Sequence, residues 1–137
     1  MKKLMTLVLL LSFTLSFAQQ SPKREFRGAW IHTVGNQQFK NMSTDSVKQL
    51  FIKTLDNFAK AGINAVIFQV RPQADAFYKS ELEPWSRFLS GTQGVAPAQE
   101  WDPLQFMIEE SHKRGMELHA WCNPYRVTSN DTEQLHP

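Results

Sequence analysis

The chain has 137 residues, 42% hydrophobic, 12% aromatic and 20% charged, a composition that excludes a disordered tail. Fifteen Lys and Arg stand against 13 Asp and Glu, and two of those lysines, Lys2 and Lys3, fall in a segment expected to be removed. The balance that remains is neutral, which excludes the basic footprint of a nucleic-acid binder.

Met1-Lys2-Lys3 is a short positive start, followed by Leu4 to Phe17, apolar apart from Thr6, Ser12, Thr14 and Ser16. Ser16-Phe17-Ala18 is a small-x-small cleavage site. Residues 1–18 therefore read as a signal peptide, and residues 19–25 as a polar lead-in. The apolar stretch is shorter than the ~20 residues of a membrane span, so a retained anchor is the lesser alternative. The product is expected to be exported, periplasmic or extracellular, with no stable membrane insertion after cleavage. A single cysteine, Cys122, allows no internal disulfide; inside an apolar strand it reads as a buried, inert thiol.

Phe26 to Val34 is rich in aromatic and β-branched residues and reads as the first strand. A polar loop over 35–42 follows. Ser43, Thr44 and Asp45 are good helix caps, and Val47, Leu50, Phe51, Leu55, Phe58 and Ala59 recur at helical spacing until Gly62. Ile63 to Val70 is a near-continuous apolar run, suited to a strand covered on both faces. Then the pattern repeats. Asp102 caps a helix with Pro103 in its first turn, Leu104, Met107 and Ile108 make its apolar face, Gly115 stops it, and Met116 to Asn123 is a third strand. Lys60-Ala61-Gly62-Ile63 matches Lys113-Arg114-Gly115-Met116, and Val70-Arg71-Pro72 matches Cys122-Asn123-Pro124.

Strand–helix–strand–helix–strand in this grammar indicates an α/β fold of consecutive βα units in a parallel sheet. The joints after helices are read as one or two residues long, whereas the loops after the first and second strands run to about 10 and about 30. Long loops at strand C-termini are how a (β/α)8 TIM barrel carries an active site. An open doubly wound sheet would show a Gly-rich phosphate turn, and Val34-Gly35-Asn36-Gln37 is none. A full barrel takes about 250 residues, so residues 26–137 are expected to be an incomplete barrel domain, the N-terminal portion of a longer protein. A self-contained three-stranded α/β domain is the alternative.

Strand alternation assigns faces. Val66, Phe68 and Val70 should meet the helices, as should Leu118, Ala120 and Cys122. Trp30, His32, Gln69, Arg71, Glu117, His119, Trp121 and Asn123 should face the barrel axis. Barrel interiors are normally branched and apolar, so polar and aromatic positions at the strand C-termini (His32, Arg71, Asn123 and, just beyond, Arg126) mark a ligand pocket. A hydrogen-bond network tying the strands together is the bland alternative. Trp30, Tyr78, Trp85, Trp121 and Tyr125 lie at strand ends or in long loops, and flat aromatic walls with a few polar groups suit a carbohydrate. Trp30 and Trp121 are expected as platforms, Trp85 and Trp101 as pins for the loops.

Glycoside cleavage usually needs two carboxylates. Asp75, four residues past Arg71, is expected to pair with it and to have a lowered pKa, as a hydroxyl ligand would; Glu81 and Glu83 read as solvated charges. No acid/base pair is evident, so catalytic carboxylates are expected beyond Pro137. His32 and His119 each stand alone, and neither a metal site nor a cofactor is expected.

Five ordered blocks then carry a resemblance: Arg27-Gly28-Ala29-Trp30; Phe68-Gln69-Val70-Arg71-Pro72 with Asp75-Ala76-Phe77-Tyr78; Glu83-Pro84-Trp85-Ser86 with Ser90-Gly91-Thr92-Gln93-Gly94; Trp101-Asp102-Pro103-Leu104; and His119-Ala120-Trp121-Cys122-Asn123-Pro124-Tyr125-Arg126-Val127. Together they strongly resemble the glycosyl-hydrolase-like 10 family of bacterial exported proteins, from about Arg24 onward. The resemblance implies a (β/α)8 barrel acting on glycosidic bonds of a polysaccharide such as cell-wall glycan. Its catalytic carboxylates would come from strands four onward, and Arg71, Asp75, Tyr78, Asn123 and Arg126 would be substrate-site or loop-framework positions. Many relatives carry a lipid-anchor cysteine near the cleavage site, which this chain lacks. The expectation is the N-terminal part of an exported glycoside hydrolase, with Trp30, His32, Arg71, Asp75, Tyr78, Trp121, Asn123 and Arg126 binding substrate. A non-catalytic carbohydrate-binding or cell-wall scaffold protein is the alternative.

Overall fold

The structure, a computed structural model, describes residues 25–36, 39–99 and 101–129. The expected signal peptide lies outside them, as does the lead-in except Glu25. The elements are β1 (Gly28–Ile31), a 3-10 turn at Phe39–Asn41, α1 (Thr44–Lys60), β2 (Ala65–Arg71), the short α2 (Arg87–Ser90), α3 (Pro103–Lys113) and β3 (Glu117–Cys122). All three strands are parallel, in the order β1-β2-β3. Trp30 is level with Ile67, and Gln69 with Trp121.

Local chemistry sets the helix ends. The Ser43 hydroxyl accepts from the Ser46 N–H at 3.2 Å, and an Asp102 carboxylate oxygen accepts from the Gln105 N–H at 3.0 Å. Both helices close in the same way. The Ile63 N–H reaches back to the Phe58 carbonyl and the Met116 N–H to the Ser111 carbonyl, each at 3.0 Å. The intervening Gly62 and Gly115 sit at φ +76° and +69°, a backbone that a side chain would strain. These full capping turns make the joints, 61–64 and 114–116, slightly longer than expected. Asn64 then gathers the strand starts. It exchanges bonds with Arg27, its side-chain amide donates to the Glu25 carbonyl, and its own carbonyl accepts from the Glu117 N–H.

Val47, Phe51 and Leu55 line one face of α1 and pack with Val66, Phe68 and Val70 of β2 and Met107 of α3. Inside this core four phenyl rings close a circuit of edge-to-face contacts: Phe39–Phe51 at 5.5 Å, Phe51–Phe68 at 5.6 Å, and Phe68–Phe77 and Phe77–Phe39 both at 6.3 Å. Arg114 of α3 reaches both Asp56 of α1 and Glu110, bracing the two helices at their far ends.

Several expectations need correction. The first strand stops at Ile31 instead of Val34, because the Thr33 and Val34 N–H groups donate to the side-chain oxygen of Gln69, at 2.8 and 2.9 Å, in place of a ladder partner. The loop over 35–42 contains the buried Phe39, and the loop after β2 contains α2 with buried Phe88 and Leu89. Cys122 is exposed, as is Ala120, because the core packing of β3 ends at Leu118 and its helix-side face is open beyond it among the described residues.

Candidate functional site

A β-bulge at the end of β2 builds the site. Gln69 is level with Trp121 but Arg71 with Cys122, so Val70 is an extra residue that re-aims Arg71. The Arg71 Nε donates to a Glu83 carboxylate oxygen at 2.8 Å, and Nη1 donates to the Asn123 carbonyl at 2.7 Å. Two of its five N–H donors are thereby spent, leaving three for a ligand. The Asn123 side chain is engaged at both ends, accepting from Trp121 Nε1 and donating to the Pro72 carbonyl, each at 2.9 Å. Trp121 meets Trp30 edge to face, with centroids 4.9 Å apart and planes at 77°. The Trp30 ring remains 64% exposed. Two indoles thus form an open corner, with a guanidinium held at its far side by Glu83 and Asn123.

Of the residues expected to bind substrate, Trp30, Trp121, Asn123 and Arg71 form this one connected group. Tyr78 lies beside it, half buried against the core. Its hydroxyl pKa is raised, first by burial and then by the nearby Cys122 and Glu83, with Arg71 opposing. His32 and Arg126 are exposed. His119, on the face of Trp121, stands edge-on to Phe26 at 5.5 Å and within 3.2 Å of Glu117.

Asp75 is a correction. Arg71 pairs with Glu83, which is no solvated charge, whereas Asp75 is buried under the loop with no hydrogen-bond partner of good geometry on either oxygen. Burial raises its pKa above the ordinary 3.8. The Ser86 hydroxyl, the Gln73 backbone and Arg87 favour the charged form without offsetting that cost, and Glu83 adds to it. The physical reason is the fold of residues 72–86. Ala76 pairs with Trp85, and the Phe77 N–H donates to the Val70 carbonyl at 2.8 Å, which turns Asp75 inward. Because the folded carboxyl holds its proton more tightly than the unfolded one, the contribution of Asp75 to stability is full below about pH 3.8 and is lost as pH rises through the folded pKa. Asp75→Asn, which removes that titration, should gain stability over the parent as pH rises from 4 to 7; urea unfolding across that range is the check, and a pH-independent difference would refute it.

Glu83 was the residue sequence reasoning missed. Its signal was the Arg71 partner twelve positions back, but the bulge that selects Glu83 over Asp75 has no sequence signature. Gln69, on the sheet face opposite Phe68, is tied to the end of β1: its side-chain oxygen takes the Thr33 and Val34 N–H bonds and its carbonyl accepts from the Thr33 hydroxyl at 3.0 Å, while its Nε2 is buried with no partner among the described residues.

The sequence profile of the family described as Glycosyl hydrolase-like 10 matches residues 25–136. The chain is 50% identical over 119 residues to Glycosyl hydrolase YngK of Bacillus subtilis, covering 85% of this chain and 23% of that protein. It is 40% identical over 121 residues to Glycosyl hydrolase DigH of Escherichia coli, covering 81% of this chain and 27% of that protein. The chain therefore spans about a quarter of the length of these relatives.

Proposed function

The chain belongs to the glycosyl hydrolase-like 10 family, and from that premise we propose that it is part of an exported glycoside hydrolase that cleaves a polysaccharide, with cell-wall glycan as substrate. On this reading the three parallel strands are the first of a (β/α)8 barrel, and the group at their C-terminal ends is one side of the glycan cleft. The observation that carries it is the corner of Trp30 and Trp121 with Arg71 beside it. An indole face packs on the C–H face of a sugar ring, and the remaining guanidinium donors take its hydroxyls.

The group binds and orients; it does not cleave. Glu83 is committed to Arg71, and Asp75 has no access to a ligand. The proposal accordingly assigns the acid and base to carboxylates outside these three strands. Tyr78, held neutral, adds a hydroxyl beside the cleft.

The pairing of Glu83 with Arg71 and the burial of Asp75 also favour a second reading, a carbohydrate-binding protein without hydrolysis. The full-length protein incubated with purified cell-wall glycan separates the two. Release of reducing ends is expected; retention on the glycan with no release would overturn the hydrolase reading in favour of the second.

A further inference from the structure

A cleft of about 310 Å³ lies in the long loop between β2 and α3 and shares no residue with the Arg71 group. Trp85, Trp101 and Pro97 give it apolar walls, and Lys79, Gln99 and Asp102 give it polar ones. We propose that this cleft is a second glycan subsite, holding one pyranose unit of a chain whose cleavage occurs elsewhere on the protein; the proposal rests on the glycan reading above.

The walls are fixed in advance. The Trp101 ring is held edge-on by Phe106 at 5.7 Å with the Lys48 ammonium 5.3 Å over it. Both oxygens of Asp102 are occupied, one by the Gln105 N–H at 3.0 Å and the other by the Lys79 N–H at 2.8 Å. A rigid wall lowers the ordering cost of binding. The acidic group is therefore spent on the frame, and the groups left without an internal partner among the described residues are chiefly donors. Trp101 Nε1 is buried with no acceptor. The Lys79 ammonium and the Gln99 amide, both exposed, have no partner either. The exposed ammonium and amide donors at the cleft favour a ligand that brings oxygens. Indole walls with donors around them fit a ring that offers an apolar C–H face and a rim of hydroxyl or carbonyl oxygens. The volume, at the lower end of the range for small-molecule sites, fits one sugar unit and not a run of them.

The experiment compares the full-length protein with a Lys79→Ala, Gln99→Ala double variant, both changes being on exposed side chains. Two quantities are read: retention on insoluble cell-wall glycan, and turnover of soluble oligomers of two to four sugar units from the same glycan. The double variant should lose retention about tenfold and turn over the short oligomers as the parent does. Parent cleavage together with undiminished retention of the double variant would overturn the subsite alone. Retention that depends on Lys79 and Gln99 in a protein that releases no sugar would leave the subsite standing and overturn the hydrolase reading. Equal loss of retention and short-oligomer turnover would show that the cleft belongs to the main site, and would also overturn the proposal.

Discussion

On the proposed glycan reading, Arg71→Ala in the full-length protein is expected to lower kcat/KM on glycan by about 100-fold while leaving a folded, soluble protein. The Arg71 side chain joins the β2 loop, through Glu83, to the end of β3, through the Asn123 carbonyl. Its loss removes the ligand donors and releases the frame that sets Asn123 and, through it, Trp121. It also leaves the Glu83 carboxylate, 23% exposed, without its cation, for a stability loss of about 1–3 kcal/mol. Arg71→Lys should not restore activity, because an ammonium cannot serve two acceptors in the fork geometry of a guanidinium. Steady-state kinetics and urea unfolding on the same preparations are the check. An alanine variant with unchanged turnover would remove Arg71 from the site, and one that yields no folded protein would make the group a structural tie.

The second large effect is in the core. Phe77→Ala should cost about 3–5 kcal/mol, read as a fall in the urea midpoint with an unchanged slope. Phe77 has no exposed surface and completes the phenyl circuit with Phe39 and Phe68. Its backbone matters as well: its N–H donates to Val70 and its carbonyl accepts from the Leu104 N–H, so the ring seats the long loop on both strand and helix. Phe77→Leu should recover part of the loss, since it refills most of the cavity with an apolar side chain. A cost below 1 kcal/mol for the alanine variant would show that the loop is held by its backbone bonds alone.

Much of this architecture is legible in the amino-acid order. Caps at Ser43 and Asp102, stops at Gly62 and Gly115, and the apolar run through Val70 place two helices and two strands, because each depends on neighbours a few residues apart. That Trp30 and Trp121 share one face of the sheet follows from simple alternation. What escapes depends on distant partners. Phe39 sits in a polar stretch, and only Phe51 and Phe77 give it a reason to be buried. Glu83 in place of Asp75 follows from a single inserted residue in the β2–β3 pairing, which shifts the side chain that precedes Pro72. Cys122 reads as interior by its hydrophobic neighbours, yet exposure is decided by whether a helix lies over the strand there.

The Thr33–Gln69 clasp has one more consequence. A single amide oxygen finishes the seam between β1 and β2 where their ladder ends, accepting from two successive backbone N–H groups. The departure angle of the following loop is therefore set at its root by one side chain and not by the loop's own sequence. Residues beyond Val34 can lengthen, shorten or change character without tilting the Trp30 indole, so the rim can vary while the ring beneath it stays put.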